Sequence, residues 1–248
     1  KPVEWPAPEP KIFLPIKLLS FAATLLPAIG IYSCVLYTLT IGSAAISSLS
    51  LSGCPDVKSS LPPVSYSISS WEPQRFIWLL VLMAHLPVRL LIAIILPRVW
   101  GPGAGRLILL CCYFAEAASL VLVTVFHVNS IAGFGVHAFF FTSWALSSIF
   151  GMSMTIHLMR ITNLKDRSKM FHRSFIAKIC VLILFIFSFT SIGIFYPLSQ
   201  RYCLGWAYAI FCIFEYALVG LSGVFWSLTM YEYSTAFAGL CVTAVRHE

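Results

Sequence analysis

The chain has 248 residues, of which 59% are hydrophobic and only 10% are charged, and its net charge at neutral pH is +7. A soluble domain carries about 25% charged residues, so this composition excludes an ordinary soluble protein and indicates a membrane protein. The hydrophobic residues form long continuous blocks, each close to or above the roughly 20 residues that cross a bilayer as a helix. The absence of alternation within the blocks excludes a barrel of membrane strands.

Six hydrophobic blocks follow one another along the chain, and each predicts a transmembrane helix. The blocks are Ile12–Ala44, Phe76–Leu96, Gly105–Phe126, Ile131–Met159, Phe175–Tyr196 and Leu204–Met230. We therefore predict an all-α fold: a single polytopic membrane domain over residues 1–248, built as a six-helix transmembrane bundle. An even number of spans places both termini on the same side of the membrane.

Lys and Arg residues are distributed unequally between the two sides, and cytosolic segments are the ones enriched in them. The side with both termini and the loop 160–174 holds twelve, whereas the other side holds three. The twelve are Lys1, Lys11, Lys17, Arg98, Arg106, Arg160, Lys165, Arg167, Lys169, Arg173, Lys178 and Arg246. We predict cytosolic termini. The bias accounts for the net charge, so it indicates contact with membrane lipids and no nucleic-acid partner.

The longest segment outside the predicted spans is the loop 47–75, which is rich in Ser and Pro and would lie in the lumen. It contains Cys54, and Cys203 precedes the sixth span on the same side. Because the lumen of the secretory pathway is oxidising, we predict a Cys54–Cys203 disulfide that orders this loop as a cap; two unpaired thiols are the alternative. No CxxC or Cys/His spacing typical of zinc is present, so no metal site is predicted.

Four ionisable residues lie deep inside the predicted spans. At 1.5 Å per residue, His85 and Glu215 lie about 15–18 Å from the lumenal ends of their spans, and Glu116 reaches a similar depth in the third span. Arg89 follows His85 by four residues and so shares its helix face. A charge at the centre of a membrane helix costs about 3 kcal/mol, which predicts that Arg89 pairs with Glu116 or Glu215. Depth alone leaves both pairings open.

Two interpretations of this charged layer stay open. It is either a structural clasp that holds spans two, three and six together, or the wall of a polar cavity that handles a lipid headgroup or a proton. A histidine favours the cavity, since Arg and Glu alone would make a clasp. The catalytic candidates are then His85, Glu116 and Glu215, and the substrate-binding candidates are Arg89, His137 in span four and Arg75 at the lumenal mouth.

Several familiar catalytic motifs are missing from the sequence. There is no G-x-S-x-G nucleophile motif, no HExxH motif, no His followed five residues later by Asp, and no nucleotide-binding loop. An enzyme with this sequence would therefore use isolated residues inside the membrane. In the simplest scheme, His85 removes a proton from a lipid hydroxyl while Arg89 stabilises an oxyanion or a phosphate.

Four stretches of the sequence carry a resemblance to a known family. They read CPDVKSSLPPVSYSISSWEPQRFIW, HLPVR, FAEAASLVLVT and YCLGWAYAIFCIFEYALV. Together they resemble the post-GPI-attachment-to-proteins factor 2 family, part of a wider group of six-span proteins that includes the damage-regulated autophagy modulators. Two positions depart from the family pattern: Ser69 stands in place of Gly, and Gly151 in place of His.

The resemblance implies a function in the fatty-acid remodelling of glycosylphosphatidylinositol (GPI) anchors in the Golgi or another endomembrane. The step it implies is the reacylation of a lyso-GPI intermediate with a saturated chain, and acyl-CoA or a phospholipid is the possible acyl donor. No permanently bound cofactor is implied. The lipid moiety of GPI-anchored proteins would be the partner, with other remodelling enzymes as further candidates. The alternative is a lipid-binding regulator or scaffold of the pathway without catalysis of its own; a transporter or channel is less favoured, because no inverted repeat is seen.

Overall fold

The structure is a computed structural model that describes most of the chain. The described residues are 12–42, 46, 50–51, 54–58, 61–99, 103–128, 133–162, 168–232 and 237–240. Their six long helices are α1 (Ile16–Thr40), α3 (Gln74–Val99), α4 (Ala104–Val125), α5 (Gly133–Ile161), α6 (Lys169–Tyr202) and α7 (Gly205–Glu232), and a four-residue helix, α2 (Val64–Ser67), precedes α3. All six long helices are apolar enough to cross a membrane, which confirms the predicted bundle.

The six long helices pack as a closed ring. Each contacts its neighbours along the chain, and α1 also contacts α7, so that the first and last helices complete the ring. At one end, β1 (Ile12–Pro15) pairs antiparallel with β4 (Phe237–Leu240), which brings the two ends of the described chain together. This end of the bundle is called the termini end. A ring of this kind leaves a central space that side chains from several helices reach.

The described residues of the predicted loop 47–75 lie at the opposite end of the ring, called the cap end. Residues 50–51, 54–58 and 61–73 are together called the cap, and they include β2 (Ser50–Leu51), β3 (Cys54–Lys58) and α2. A disulfide joins Cys54 to Cys203, with 5.5 Å between the Cα atoms. The predicted disulfide is confirmed, and it ties the cap to the turn between α6 and α7.

The loop 160–174 is shorter than predicted, because the helices on either side extend into it. Helix α5 continues to Ile161 and α6 begins at Lys169, where the Ser168 side chain accepts a hydrogen bond from the backbone N–H of Phe171. The predicted loop bounds were set where the apolar residues end, so polar residues at the helix ends were counted as loop. Lys and Arg are good helix formers, so a helix continues into polar sequence that no longer fits a membrane core.

Gly151 shows why one departure from the family pattern fits this structure. A Cβ atom at this position would lie 3.4 Å from Cε1 of Tyr113 on the neighbouring helix α4. The buried Tyr113 ring therefore fills the space beside Gly151, and its centroid lies 4.8 Å from that of Trp226. A histidine at 151 would bring its Cβ into van der Waals contact with this ring, and its imidazole would have to extend past the ring.

Candidate functional site

The ring of helices encloses a cavity of about 310 Å³ that begins beneath the cap. Ser65 and Ser69 of the cap line its cap end, and Trp226 lies on its wall toward the termini end. Most of the remaining wall is apolar, which is usual for a small-molecule site. Four of the six predicted site residues line the cavity: Arg75, Arg89, His137 and Glu215.

Arg89 forms its ion pair with Glu116, which decides between the two predicted pairings. Arg89 Nη2 donates to Glu116 Oε1 over 2.5 Å, and the side chains of the pair are only 9% and 3% exposed. Ser148 Oγ donates to the same oxygen over 2.7 Å, and the Arg89 guanidinium lies 5.2 Å from the centre of the Trp226 ring. Helices α3, α4, α5 and α7 therefore all contribute to holding this one cation.

Glu215 binds the cap instead of a cation. Its Oε2 accepts a hydrogen bond from the Val64 backbone N–H at 2.9 Å, and its Oε1 accepts from the Ser65 N–H and hydroxyl at 3.2 and 2.7 Å. Backbone N–H groups at a helix start have no partner within the helix, and α2 begins at these residues. Glu215 thus supplies from α7 the acceptors that α2 needs, and it fastens the cap over the cavity.

Three side chains of the cavity wall keep a buried polar atom that has no hydrogen-bond partner among the described residues. These atoms are Arg89 Nε, His137 Nε2 and Trp144 Nε1. Leaving a buried polar group unpaired costs about 1–3 kcal/mol, so such atoms indicate a place where a ligand supplies the partner. Two of them are N–H donors, which suits a ligand with oxygen acceptors.

Trp144 was missed by the sequence analysis. A Trp deep within a span, away from the interface that Trp prefers, is the signal that could have found it.

His137 is held in one tautomer at the wall of the cavity. Its Nδ1 lies 2.9 Å from the carbonyl oxygen of Phe126, the residue that ends α4. A carbonyl can only accept, so Nδ1 carries the proton and donates it. The neutral ring therefore keeps a free lone pair on the buried Nε2, the state that a general base requires.

His85 lies on the same helix face as Arg89 but is not part of the cavity wall. Its side chain is fully buried, Nδ1 donates to the Val81 carbonyl over 2.9 Å, and Nε2 has no partner among the described residues. Glu116 is also behind the wall, where it contacts Arg89. The structure therefore brings two of the three catalytic candidates close to the cavity without exposing them to it.

The cap-end mouth of the cavity carries positive charge. Arg75 lines the mouth and is exposed. The pKa of nearby His127, just beyond the end of α4, is lowered by partial burial and by the charge of Arg75. An anionic headgroup would be favoured at this mouth. Within the described part of the chain, no three His, Cys, Asp or Glu side chains are grouped so that they could hold a metal ion.

A second buried ion pair lies between α6 and α7, and the sequence analysis missed it. Lys178 Nζ lies 2.7 Å from the Glu232 carboxylate, Ser174 Oγ donates to the same group over 2.7 Å, and both charged side chains are 1% exposed. Lys178 lies toward the termini end, on the side where the sequence analysis counted it, but its pairing with Glu232 was not predicted. The two charges face each other because α6 and α7 are neighbours in the ring.

Replacing Lys178 by Met is expected to destabilise the protein by about 3–5 kcal/mol, because the buried Glu232 carboxylate loses the counter-ion that it has among the described residues. Unfolding in detergent by chemical denaturant measures this loss. The double variant Lys178→Met/Glu232→Met is the control and should recover most of the stability. If Lys178→Met is as stable as the double variant, the Lys178–Glu232 ion pair does not stabilise the fold as proposed.

The ring of six membrane-length helices, the disulfide-tied cap and the enclosed cavity define a polytopic membrane protein with an internal cavity. Residues 15–236 match the family model described as the Frag1/DRAM/Sfk1/Cwh43P N-terminal domain. The chain belongs to this family.

Curated relatives cover most of the chain. Proteins named "Post-GPI attachment to proteins factor 2" from Caenorhabditis briggsae and Drosophila melanogaster are 26% and 27% identical, and each alignment covers 88% of this chain and 85% of the relative. A Xenopus tropicalis protein named "Acyltransferase PGAP2" is 28% identical over 64% of this chain and 66% of its own. No solved structure matches.

Proposed function

We propose that the protein acts in the fatty-acid remodelling of GPI anchors, as an acyltransferase that reacylates a lyso-GPI intermediate with a saturated chain. The observation that carries the proposal is the cavity: it is largely apolar, it lies beneath a fastened cap, and it holds buried polar atoms without partners. A lipid with oxygen-rich groups at one end fits this cavity: its apolar part suits the apolar wall, and its oxygens can bind the unpaired polar atoms. The names of the relatives support the same pathway.

The transfer is a substitution at an acyl carbon. The free hydroxyl oxygen of lyso-GPI forms a new ester bond to the carbonyl carbon of the donor, and the bond from that carbon to the donor's sulfur or oxygen breaks. The hydroxyl proton passes to a base and then to the leaving group. The donor is acyl-CoA or a phospholipid. A buried cation or N–H donor stabilises the negative charge that develops on the carbonyl oxygen.

We assign the base to His137 and keep His85 as the competing candidate. His137 is part of the cavity wall and keeps its Nε2 lone pair free, whereas His85 has the same tautomer but is not part of the wall. If His85 is the base, Arg89 is the candidate for binding the oxyanion or a phosphate through its unpaired Nε, since the two share a helix face. Arg75 at the mouth binds the headgroup.

The cap end is proposed to face the lumen of the Golgi and the termini end the cytosol. The excess of Lys and Arg toward the termini supports this orientation; without Lys178, which is buried, the sequence still has eleven such residues on that side against three on the other. The substrate headgroup would then enter from the lumenal leaflet, where GPI-anchored proteins are displayed.

The alternative is a lipid-binding scaffold that presents its ligand to other remodelling enzymes. One observation favours it: Glu116 and Glu215, two of the three catalytic candidates, are engaged by structural hydrogen bonds. A scaffold would bind lyso-GPI in liposomes and leave it unacylated.

An acyl-transfer assay with purified protein in liposomes tests the proposal. Lyso-GPI is supplied with stearoyl-CoA or a phosphatidylcholine, and acylated GPI is measured. His137→Ala is expected to lower the rate about 10²–10⁴-fold, the usual contribution of a general base. His157→Ala, at an exposed position of α5, is the matched control. A large loss in His85→Ala with normal His137→Ala would move the base to His85, and wild-type binding without turnover would establish the scaffold.

A further inference from the structure

A second concave surface lies outside the ring, where α1 and α6 both pack against α7. This surface, called the outer groove, has a volume of about 720 Å³ and is lined by residues of these three helices. Leu184, Phe187 and Val224 line it and are 51%, 58% and 48% exposed, so they would face the hydrocarbon of the bilayer. None of the described residues that line the groove is Lys, Arg, His, Asp or Glu. It suits an apolar chain and offers nothing to a charged headgroup.

The outer groove and the cavity meet between α1 and α7. Thr24, Ala28 and Gly223 line both, so these three residues form the partition between the inside of the ring and the bilayer. Their side chains are small. A Cβ atom added to Gly223 would meet Thr24 Cγ2 at 3.7 Å, an ordinary contact, so the partition is thin at Gly223 and has room for one more methyl group.

The dimensions and direction of the outer groove match one lipid chain. On α1 it extends from Phe21 to Tyr32, about 16 Å at 1.5 Å per residue, and one leaflet contributes about half of a hydrocarbon core that is about 30 Å thick. At its cap end, Tyr32 donates a hydrogen bond to the Tyr216 carbonyl over 3.0 Å. A chain in the groove therefore lies along α1 between Tyr32, toward the cap end, and Phe21, toward the termini end.

Arg89 gives a reason for a lipid chain to leave the cavity sideways. A chain that descends from a headgroup beneath the cap reaches the level of Arg89, about 21 Å from Arg75 along α3. An apolar chain gains nothing from contact with a guanidinium, which needs polar partners. The partition at Ala28 and Gly223 offers the apolar route out.

We propose that the outer groove binds the single acyl chain retained by the lyso-lipid acceptor, whose headgroup lies beneath the cap and whose chain passes between α1 and α7. This inference rests on the proposed function for the identity of the acceptor. The site is thus divided: the cavity holds the polar part and the reacting hydroxyl, and the groove holds the chain that does not react.

Photolabelling of the full-length protein in phosphatidylcholine nanodiscs tests the division. The probe is lysophosphatidylinositol with a diazirine near the end of its chain, and labelled peptides are identified by mass spectrometry. Label is expected at the termini end of the groove, around Phe21 on α1 and Ser227 on α7. Gly223→Leu and, from the opposite helix, Ala28→Leu should each lower this labelling at least about tenfold, through the loss of two or more methylene contacts. Gly193→Leu, on an exposed part of α6 with nothing within 4 Å, is the matched control.

The outcomes separate this inference from the proposed function. Loss of label in both Leu variants with retention in Gly193→Leu supports the groove, as does competition by unlabelled lysophosphatidylinositol on the wild type, which needs no variant. Label spread evenly over the bilayer-facing helices would overturn the groove proposal. Labelling of the groove by a diacyl lipid or stearoyl-CoA probe, but not by the lyso-lipid, would also overturn it. A wild type that labels in the groove but transfers no acyl chain would refute the enzymatic function alone; one that transfers without groove labelling would refute the groove alone.

Discussion

Replacing Arg89 by Met is expected to destabilise the bundle by about 3–5 kcal/mol, the usual effect of removing one partner of a buried ion pair. Among the described residues, Glu116 would keep the Ser148 hydroxyl as a donor and would have no counter-ion, at a position that is 3% exposed. Helices α3 and α4 would lose their main polar contact inside the membrane. Denaturant unfolding of purified protein in detergent measures the loss.

The double variant Arg89→Met/Glu116→Met is the control for this prediction. Removing both charges leaves no uncompensated group, so most of the lost stability should return. Lipid binding should not return with it, since Arg89 also lines the cavity. A double variant that recovers both stability and lyso-lipid binding would show that the pair is a clasp and nothing more.

Replacing Glu215 by Ala is expected to release the cap while the ring of helices stays folded. The Val64 and Ser65 groups would lose three hydrogen bonds to a carboxylate, each worth about 1.5–3 kcal/mol. The disulfide at Cys54 would still tether the cap at its other end. Limited proteolysis of proteoliposomes, with peptides from residues 50–73 as the readout, should show rapid cleavage, and acyl transfer should fall with it.

Two variants make the Glu215 prediction specific. Glu215→Gln keeps one acceptor oxygen and should give cleavage between that of the wild type and of the Ala variant. Glu72→Ala removes an exposed carboxylate of the same segment that accepts one hydrogen bond, from the Phe76 N–H, and should change cleavage little. If Glu215→Ala is as protected as the wild type, the disulfide alone holds the cap.

The second buried ion pair, Lys178 with Glu232, shows what sequence patterns cannot predict. The charge bias counted Lys178 on the side of the termini, where the structure also has it, but it did not indicate that the side chain turns inward to Glu232. The sequence pattern also could not decide which glutamate pairs with Arg89. Glu116 and Glu215 lie at similar depth, and depth along a helix says nothing about rotation around its axis.

The sequence by itself determined the number of spans, the all-α class, the cap, its disulfide and the presence of charged residues at mid-membrane depth. These properties follow from local composition, because a bilayer demands about 20 apolar residues per helix and buried charges demand partners. Only the tertiary structure decided that Glu116 takes Arg89, that Glu215 binds the cap, that His137 reaches the cavity while His85 does not, and that a thin partition at Gly223 separates cavity from bilayer. Those facts depend on which faces of distant helices meet when the ring closes. A linear sequence pattern gives the spacing of side chains along one helix, but it does not give the rotation of that helix against its neighbours.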